Sequence, residues 1–120
     1  MYRILIADDE PIERAVVSKM LLKNYENQVE LVTAVNGREA IQLYKEKECK
    51  IALLDIEMPG CNGLSLSTRL HEARPDMRLV FVTAYNQYAM DAWNTEAVGY
   101  VLKPYSAEDL RKQLERAIRF

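Results

Sequence analysis

Acidic side chains stand directly after two of the apolar runs in this 120-residue sequence. Asp8 and Asp9 follow the first run, and Asp55 follows a run in the middle of the chain. Carboxylate oxygens with no His or Cys nearby suit a hard cation, Mg²⁺ above all, with Mn²⁺ as an alternative. Three carboxylates packed closely repel one another unless a cation joins them. If the three meet in space, their residue types predict a magnesium site.

A hydroxyl and an ammonium group stand at the ends of two later apolar runs, at Thr83 and Lys103. A Mg²⁺ site that leaves one carboxylate accessible can bring a phosphoryl group and its nucleophile into line. Asp55 is the predicted nucleophile and would become an aspartyl phosphate, because it stands alone, whereas Asp8 and Asp9 form a pair suited to the metal. Thr83 is predicted to donate its hydroxyl to one phosphoryl oxygen, and Lys103 to pair with another.

Five short apolar runs are predicted to be β-strands, since four of them are nearly continuous in apolar residues, as in strands covered on both faces. The runs are Arg3–Ala7, Val29–Val35, Ile51–Leu54, Leu79–Val82 and Tyr100–Leu102. Each gap is predicted to hold an amphipathic helix, because apolar residues recur there at spacings of three and four. The stripes on the first three helices are Ile12, Val16 and Met20, then Ala40, Ile41 and Tyr44, then Leu66, Leu70 and Ala73. The last helix has Ser106 as its predicted N-cap and the stripe Leu110, Leu114, Ala117 and Ile118.

Strand and helix alternate five times, which predicts an α/β doubly wound fold with right-handed crossovers. We expect a flavodoxin-like (βα)5 architecture, with a five-stranded parallel sheet in the order 2-1-3-4-5 and helices on both faces. In such a sheet ligands bind outside the carboxyl ends of the strands, where the order reverses between strands one and three. Because parallel strands finish at the same edge, the acidic residues, Thr83 and Lys103 are predicted to converge there.

Four motifs at consecutive strand ends together resemble the receiver domain of bacterial two-component response regulators. They are Asp8-Asp9, Asp55-Ile56-Glu57-Met58-Pro59-Gly60-Cys61-Asn62-Gly63, Val82-Thr83-Ala84, and Tyr100-Val101-Leu102-Lys103-Pro104. The resemblance spans essentially the whole chain, so residues 1–120 are predicted to form one such domain. It implies that a sensor histidine kinase donates the phosphoryl group from a phosphohistidine to Asp55.

The resemblance also implies roles for individual residues of the site. Mg²⁺ would be held by Asp9, Asp55 and the backbone carbonyl of Glu57, with Asp8 acting largely through water. The phosphoryl group would be bound by Thr83, Ala84 and Lys103. The peptide bond between Lys103 and Pro104 is expected to be cis, which would aim the ammonium at the phosphoryl group. Glu57 and Tyr85 occupy the positions that tune hydrolysis in this family.

The resemblance also implies a conformational switch that involves Thr83 and Tyr100. In the family, the threonine moves toward the phosphoryl group and the aromatic ring turns inward, which alters the face made by helix four, strand five and helix five. We expect homodimerisation through that face on phosphorylation. The segment 83–93 is similar to receivers joined to LytTR-type DNA-binding domains. Transcription regulation would then reach DNA only through a separate effector domain.

Composition narrows the class of protein further. With 120 residues and 49% apolar content, the chain can bury one core and has no room for a second domain. A net charge of -2 provides no basic field for nucleic acid or for an anionic membrane surface. No apolar stretch approaches the roughly 20 residues of a membrane span. Met1 leads straight into an apolar run, and Cys49 and Cys61 lack metal-ligand spacing, so a reduced, cytoplasmic protein is expected.

Simpler interpretations exist for each residue taken alone. Asp8 and Asp9 can cap a helix, Thr83 can be a strand former, Lys103 a solvated strand end, and Tyr100 a packing residue. Their coincidence at consecutive strand ends favours a common site.

Two other functions stay open at this point. A degenerate receiver would fold identically and serve as an interaction module without being phosphorylated. A Mg²⁺-dependent phosphatase would also use an aspartyl nucleophile, but it needs a second acid, such as Glu57, and a cap for which 120 residues leave little room. We therefore expect no enzyme activity beyond the chain's own phosphorylation and dephosphorylation.

Overall fold

The computed structural model describes residues 2–25, 27–58, 61–84 and 97–119. Within these ranges the strands are β1 (Tyr2–Ala7), β2 (Val29–Ala34), β3 (Ile51–Leu54), β4 (Glu57–Met58), β5 (Cys61–Asn62), β6 (Arg78–Thr83) and β7 (Ala97–Leu102). The helices are α1 (Pro11–Tyr25), α2 (Gly37–Lys47), α3 (Gly63–Ala73) and α4 (Ala107–Arg119). The helix predicted between the last two strands of the sheet falls on residues 85–96, outside the described residues. The described residues also exclude Pro59 and Gly60 of the second motif. Of the segment 83–93, they exclude residues 85–93, among them Tyr85.

Five of these strands form one parallel sheet in the order β2-β1-β3-β6-β7. Counted along this sheet, β6 and β7 are its fourth and fifth strands, so the predicted order 2-1-3-4-5 is confirmed. The register pairs Ala7 with Leu54 and Thr83 with Leu102. The residues that follow these positions therefore emerge together at the carboxyl edge of the sheet.

Hydrophobic side chains of the strands point alternately to two cores, one on each face of the sheet. The core under α2 and α3 contains Leu5, Ala7, Ala40, Tyr44, Cys49, Ala52, Leu54, Leu66, Leu70, Leu79 and Phe81. The core under α1 and α4 contains Ile4, Ile6, Val17, Leu21, Ile51, Leu53, Val80, Val82, Leu110, Leu114 and Ala117. Complete burial of a large aliphatic side chain contributes about 1.5–3 kcal/mol. Helices on both faces are thus confirmed, and both cores stabilise the central strands that carry the acidic residues.

The helices bury most of the predicted stripe residues, with exceptions in α1 and at Ala73 of α3, which is exposed. In α4, Leu110, Leu114 and Ala117 are fully buried, and the Ser106 hydroxyl oxygen accepts a hydrogen bond from the Asp109 N–H at 3.1 Å as an N-cap. In α1, the predicted stripe is wrong at Ile12 and Val16, whose side chains are 77% and 47% exposed, whereas Met20 is partly buried and packs against the core under α1 and α4. The buried residues of α1 are instead Val17 and Leu21. Compared with the prediction, α1 is therefore rotated, so that the stripe of Val17 and Leu21, one position further along the chain, faces the sheet.

A short antiparallel pair of strands, β4 and β5, follows β3 and has no counterpart among the sequence predictions. It folds the chain back so that the N–H of Gly63 donates to the carbonyl of Ile56 at 2.6 Å. A Cβ atom added to Gly63 would lie 2.3 Å from the carbonyl oxygen of Asp55 and 2.7 Å from the Cα of Ile56. Glycine is needed here because backbone, and no flexible side chain, occupies that space.

No helix in the described ranges combines the length and the apolar character that crossing a bilayer requires.

We predict that Gly63→Ala lowers the free energy of unfolding by about 1–3 kcal/mol, since the new methyl group must displace the backbone beside Asp55. Gly99→Ala is the matched control. Its Cβ would meet Gln113 Oε1 at 2.6 Å and Gln113 Cβ at 3.3 Å. The oxygen lies at the end of a flexible side chain and can rotate away, the Cβ contact needs a shift of only a few tenths of an ångström, and alanine is no worse than glycine in a strand. Urea unfolding followed by circular dichroism measures both. Equal losses in the two variants would contradict the close-approach explanation.

Candidate functional site

Three carboxylates meet at the carboxyl edge of the sheet, where β1 and β3 end. Asp8, Asp9 and Asp55 each offer an oxygen atom within 4.8 Å of the others. Backbone hydrogen bonds extend the sheet past the strand ends. The Asp8 N–H donates to the carbonyl of Ala34 at 3.1 Å, and the Asp55 N–H donates to the carbonyl of Ala7 at 2.9 Å. Asp8 and Asp55 are each only 6% exposed, whereas Asp9 is more accessible. The sheet register thus brings together the three residues that the sequence proposed as a metal site.

Lys103 provides the positive charge of the cluster. Its Nζ lies 2.9 Å from Asp8 Oδ2, 3.4 Å from Asp55 Oδ2 and 4.0 Å from Glu13 Oε2. The peptide bond to Pro104 is cis, and the Lys103 N–H donates to the carbonyl of Thr83 at 2.7 Å. Burial alone would lower the pKa of Lys103, but the surrounding carboxylates raise it above its usual value. The ammonium is therefore charged and holds two buried carboxylates together.

Asp55 occupies the centre of the site. Its Oδ1 accepts a hydrogen bond from the Glu57 N–H at 3.3 Å, and the Thr83 side chain also donates to its carboxylate. Burial raises the pKa of Asp55, and the charge of Asp8 adds to this effect. Lys103, Thr83 and the Glu57 N–H lower it, but the pKa remains above the usual value. A cation bound to this carboxylate would favour the ionised form.

An open cavity of about 360 Å³ lies in front of these residues. It is lined by Asp9, Glu10, Asp55, Glu57, Met58, Ala84 and Lys103. Asp8 is not among these lining residues, and its Oδ1 accepts a hydrogen bond from the Glu10 N–H at 3.0 Å. Asp55 is therefore the buried carboxylate that an incoming group can reach, whereas Asp8 does not line the cavity.

Tyr100 lies away from this cavity, on the α2 and α3 side of the sheet. It is partly buried, and its ring packs against that of Phe81, with the centroids 6.3 Å apart and the planes tilted by 54°. Phe81 and Thr83 belong to the same strand, β6. The predicted switch pair is thus connected through one strand and one ring contact.

Sequence reasoning missed three residues around the site, all outside the strand ends. The Arg14 guanidinium donates to the backbone carbonyl of Asp8 at 2.8 Å. The hydroxyl of Tyr105 lies 3.5 Å from Glu13 Oε2. Burial first, and then the charge of Glu13, raises the pKa of Tyr105 to about 12, so the hydroxyl keeps its proton and donates. For two of these residues the sequence offered a signal, because Glu13 and Arg14 lie in the helical turn that follows Asp8 and Asp9.

These features define a doubly wound α/β domain with an acidic, lysine-containing site at its topological switch point. A family model, the response regulator receiver domain, matches residues 4–115. The chain belongs to this family.

Relatives share the domain across nearly the whole of this chain. The positive alginate biosynthesis regulatory protein of Pseudomonas aeruginosa is 38% identical over 116 residues, which are 97% of this chain and 47% of that protein. The sensory transduction protein LytT of Bacillus subtilis is 32% identical over 97% of this chain and 48% of its own length. This chain therefore spans about half the length of the curated relatives it matches.

Among solved structures, the response regulator protein TrrA of Thermotoga maritima, in complex with Mg(2+)-BeF, superposes with a TM-score of 0.87. It is 32% identical, and the match covers 98% of this chain and 99% of that one. The fold expected from the sequence is that of the family.

We predict opposite effects of two substitutions on the affinity for Mg²⁺. Asp9→Asn should weaken binding about tenfold or more, because a neutral amide replaces one of the three carboxylates of the cluster. Lys103→Met should strengthen binding several-fold, because it removes an ammonium that competes for Asp8 and Asp55. Calorimetric titration with MgCl₂ measures both, with the exposed Asp76→Asn as the control. Unchanged binding in Asp9→Asn, or weaker binding in Lys103→Met, would exclude this assignment.

Proposed function

We propose that this chain is a phosphoacceptor that takes a phosphoryl group from a sensor histidine kinase onto Asp55 in a Mg²⁺-dependent reaction. The observation that carries the proposal is the placement of Asp55. It is a buried carboxylate at the wall of an open cavity, with two further carboxylates, a hydroxyl and an ammonium beside it.

The reaction needs a nucleophile, a binding site for the transferred group and compensation for its negative charge. One oxygen of Asp55 attacks phosphorus, the bond from phosphorus to the donor nitrogen breaks, and an acyl phosphate forms. Asp55 suits this role because it is buried and lines the cavity, whereas Asp8 does not line the cavity and is bound by Lys103 at 2.9 Å. Lys103, Thr83 and Ala84 would then bind the oxygens of the transferred group.

Mg²⁺ fits the donor set, which consists of carboxylate oxygens that lie close together with no His or Cys among them. Asp9, Asp55 and the backbone carbonyl of Glu57 would hold the ion, and Asp8 would act through water. When bound, the ion supplies positive charge to the phosphoryl oxygens and to the attacking carboxylate. The Mg(2+)-BeF complex of TrrA supports this choice of ion.

Output would follow from the change in charge at Asp55. Thr83 moves toward the new phosphoryl group, and Tyr100, which packs on Phe81 of the same strand, changes its position in response. We propose that this alters a surface used for homodimerisation. The relatives are about twice as long as this chain and include a sensory transduction protein and a positive regulator of biosynthesis. A separate DNA-binding domain, of the LytTR type, would carry the transcriptional output.

The domain would act in the cytoplasm as a signalling component and turn over no small-molecule substrate. Residues 1–120 would form one receiver domain. Glu57 lines the cavity and is positioned to affect the hydrolysis of the acyl phosphate, a role that we also propose for Tyr85.

We predict that acetyl phosphate with Mg²⁺ adds one phosphoryl group to the wild-type chain and none to Asp55→Asn, as measured by intact mass. Omission of Mg²⁺ should abolish the adduct, because the charge of the phosphoryl group is then poorly balanced beside three carboxylates. Asp76→Asn is the matched control and should be modified like wild type.

The alternatives give different results in the same experiment. A folded wild-type chain with no adduct would indicate an interaction module that is not phosphorylated. Repeated hydrolysis of a small phosphate ester would indicate a phosphatase.

A further inference from the structure

Glu13 is a third carboxylate beside the ammonium of Lys103. Its Oε2 lies 4.0 Å from Lys103 Nζ and 3.5 Å from the hydroxyl of Tyr105. The Lys103 side chain is only 10% exposed, and that of Glu13 is 26% exposed. Because water screens this pair only partly, the charge of Glu13 acts on Lys103 more strongly than in a surface ion pair.

The fold fixes the position of Glu13 from two sides. Val17, one helical turn further along α1, is buried against the sheet, so the face that carries Glu13 is turned toward the site. The ring of Tyr105 packs against the core under α1 and α4, which fixes the hydroxyl that donates to Glu13. The position of Glu13 is therefore determined by core packing of Val17 and Tyr105 as well as by its contact with Lys103.

Glu13 stands outside the group of residues that could hold a cation. Among the described residues that group consists of Asp8, Asp9 and Asp55. A divalent ion held there by Asp9 and Asp55 would also attract Asp8 through water, and Asp8 and Asp55 are the carboxylates to which Lys103 is paired at 2.9 and 3.4 Å. Such an ion would repel the ammonium of Lys103. Of the three carboxylates paired with Lys103, Glu13 is the one outside the acidic group and would stay available to it.

We propose that Glu13, oriented by Tyr105, is a positioning residue for Lys103 in phosphoryl transfer. This inference rests on the proposed function of Asp55 as phosphoacceptor. As the metal site fills, Glu13 keeps the ammonium at the wall of the cavity, where it can pair with the incoming phosphoryl group. Without Glu13, the ammonium either stays on Asp8 and Asp55 or leaves the site.

The test compares Glu13→Gln, Tyr105→Phe and the double variant, with the exposed Glu72→Gln of α3 as the control for loss of one negative charge. The rate of phosphorylation by acetyl phosphate is followed by intact mass at saturating Mg²⁺. We expect Glu13→Gln to be about threefold to tenfold slower and Tyr105→Phe about twofold to fivefold slower, since small displacements of a charge-stabilising group reduce the rate. The double variant should be no slower than Glu13→Gln, because both changes remove one arrangement.

Tyr105→Phe separates positioning from charge, because it changes no charge and preserves the packing of the ring. If, at saturating Mg²⁺, Glu13→Gln is phosphorylated at the rate of the Glu72→Gln control and Tyr105→Phe at the wild-type rate, Glu13 does not position Lys103 and the proposal is wrong. Urea unfolding identifies variants that lose stability, and a loss of stability without a change in rate also overturns it. A wild-type chain that takes no phosphoryl group contradicts the proposed function itself, a result distinct from normal rates in the variants.

Discussion

The arrangement of the site depends on one ammonium group between two buried carboxylates. Asp8 and Asp55 are each 6% exposed, and removal of such charges from water costs several kcal/mol per ion. Lys103 offsets much of this cost by its contacts at 2.9 and 3.4 Å. These contacts connect a residue that follows β7 with residues that follow β1 and β3. The charge balance of the site and the alignment of the strand ends therefore depend on each other.

This balance is incomplete without a divalent ion. Among the described residues, three carboxylates share the edge of the sheet with the ammonium of Lys103, and the charges of these four groups sum to a net negative value in a partly buried space. Burial accordingly raises the pKa of Asp55 despite the nearby lysine. A divalent cation would neutralise the remaining charge, and only then would a phosphoryl group meet a site that does not repel it. The charges alone therefore predict that a cation and a phosphoryl group would favour each other's binding at this site.

The sequence contained most of the fold because its signals were periodic and local. Nearly continuous apolar runs indicated the strands, and the rule that parallel strands finish at one edge indicated which side chains converge. The β4 and β5 pair escaped prediction because strands of two residues leave no period to detect. The start of β7 at Ala97 was missed because Gly99 interrupts the apolar run. The close approach at Gly63 depends on tertiary contacts with Asp55, which no local pattern encodes.

The rotation of α1 explains why Glu13 and Arg14 were missed. The stripe of Ile12 and Val16 would have turned both residues away from the sheet, since neighbouring positions on a helix differ by about 100° in direction. Burial of Val17 instead places Glu13 beside Lys103 and the guanidinium of Arg14 on the carbonyl of Asp8. The same rotation leaves Ile12 77% exposed. One choice of helix face thus determines both the residues that complete the site and the apolar side chains that α1 presents to solvent.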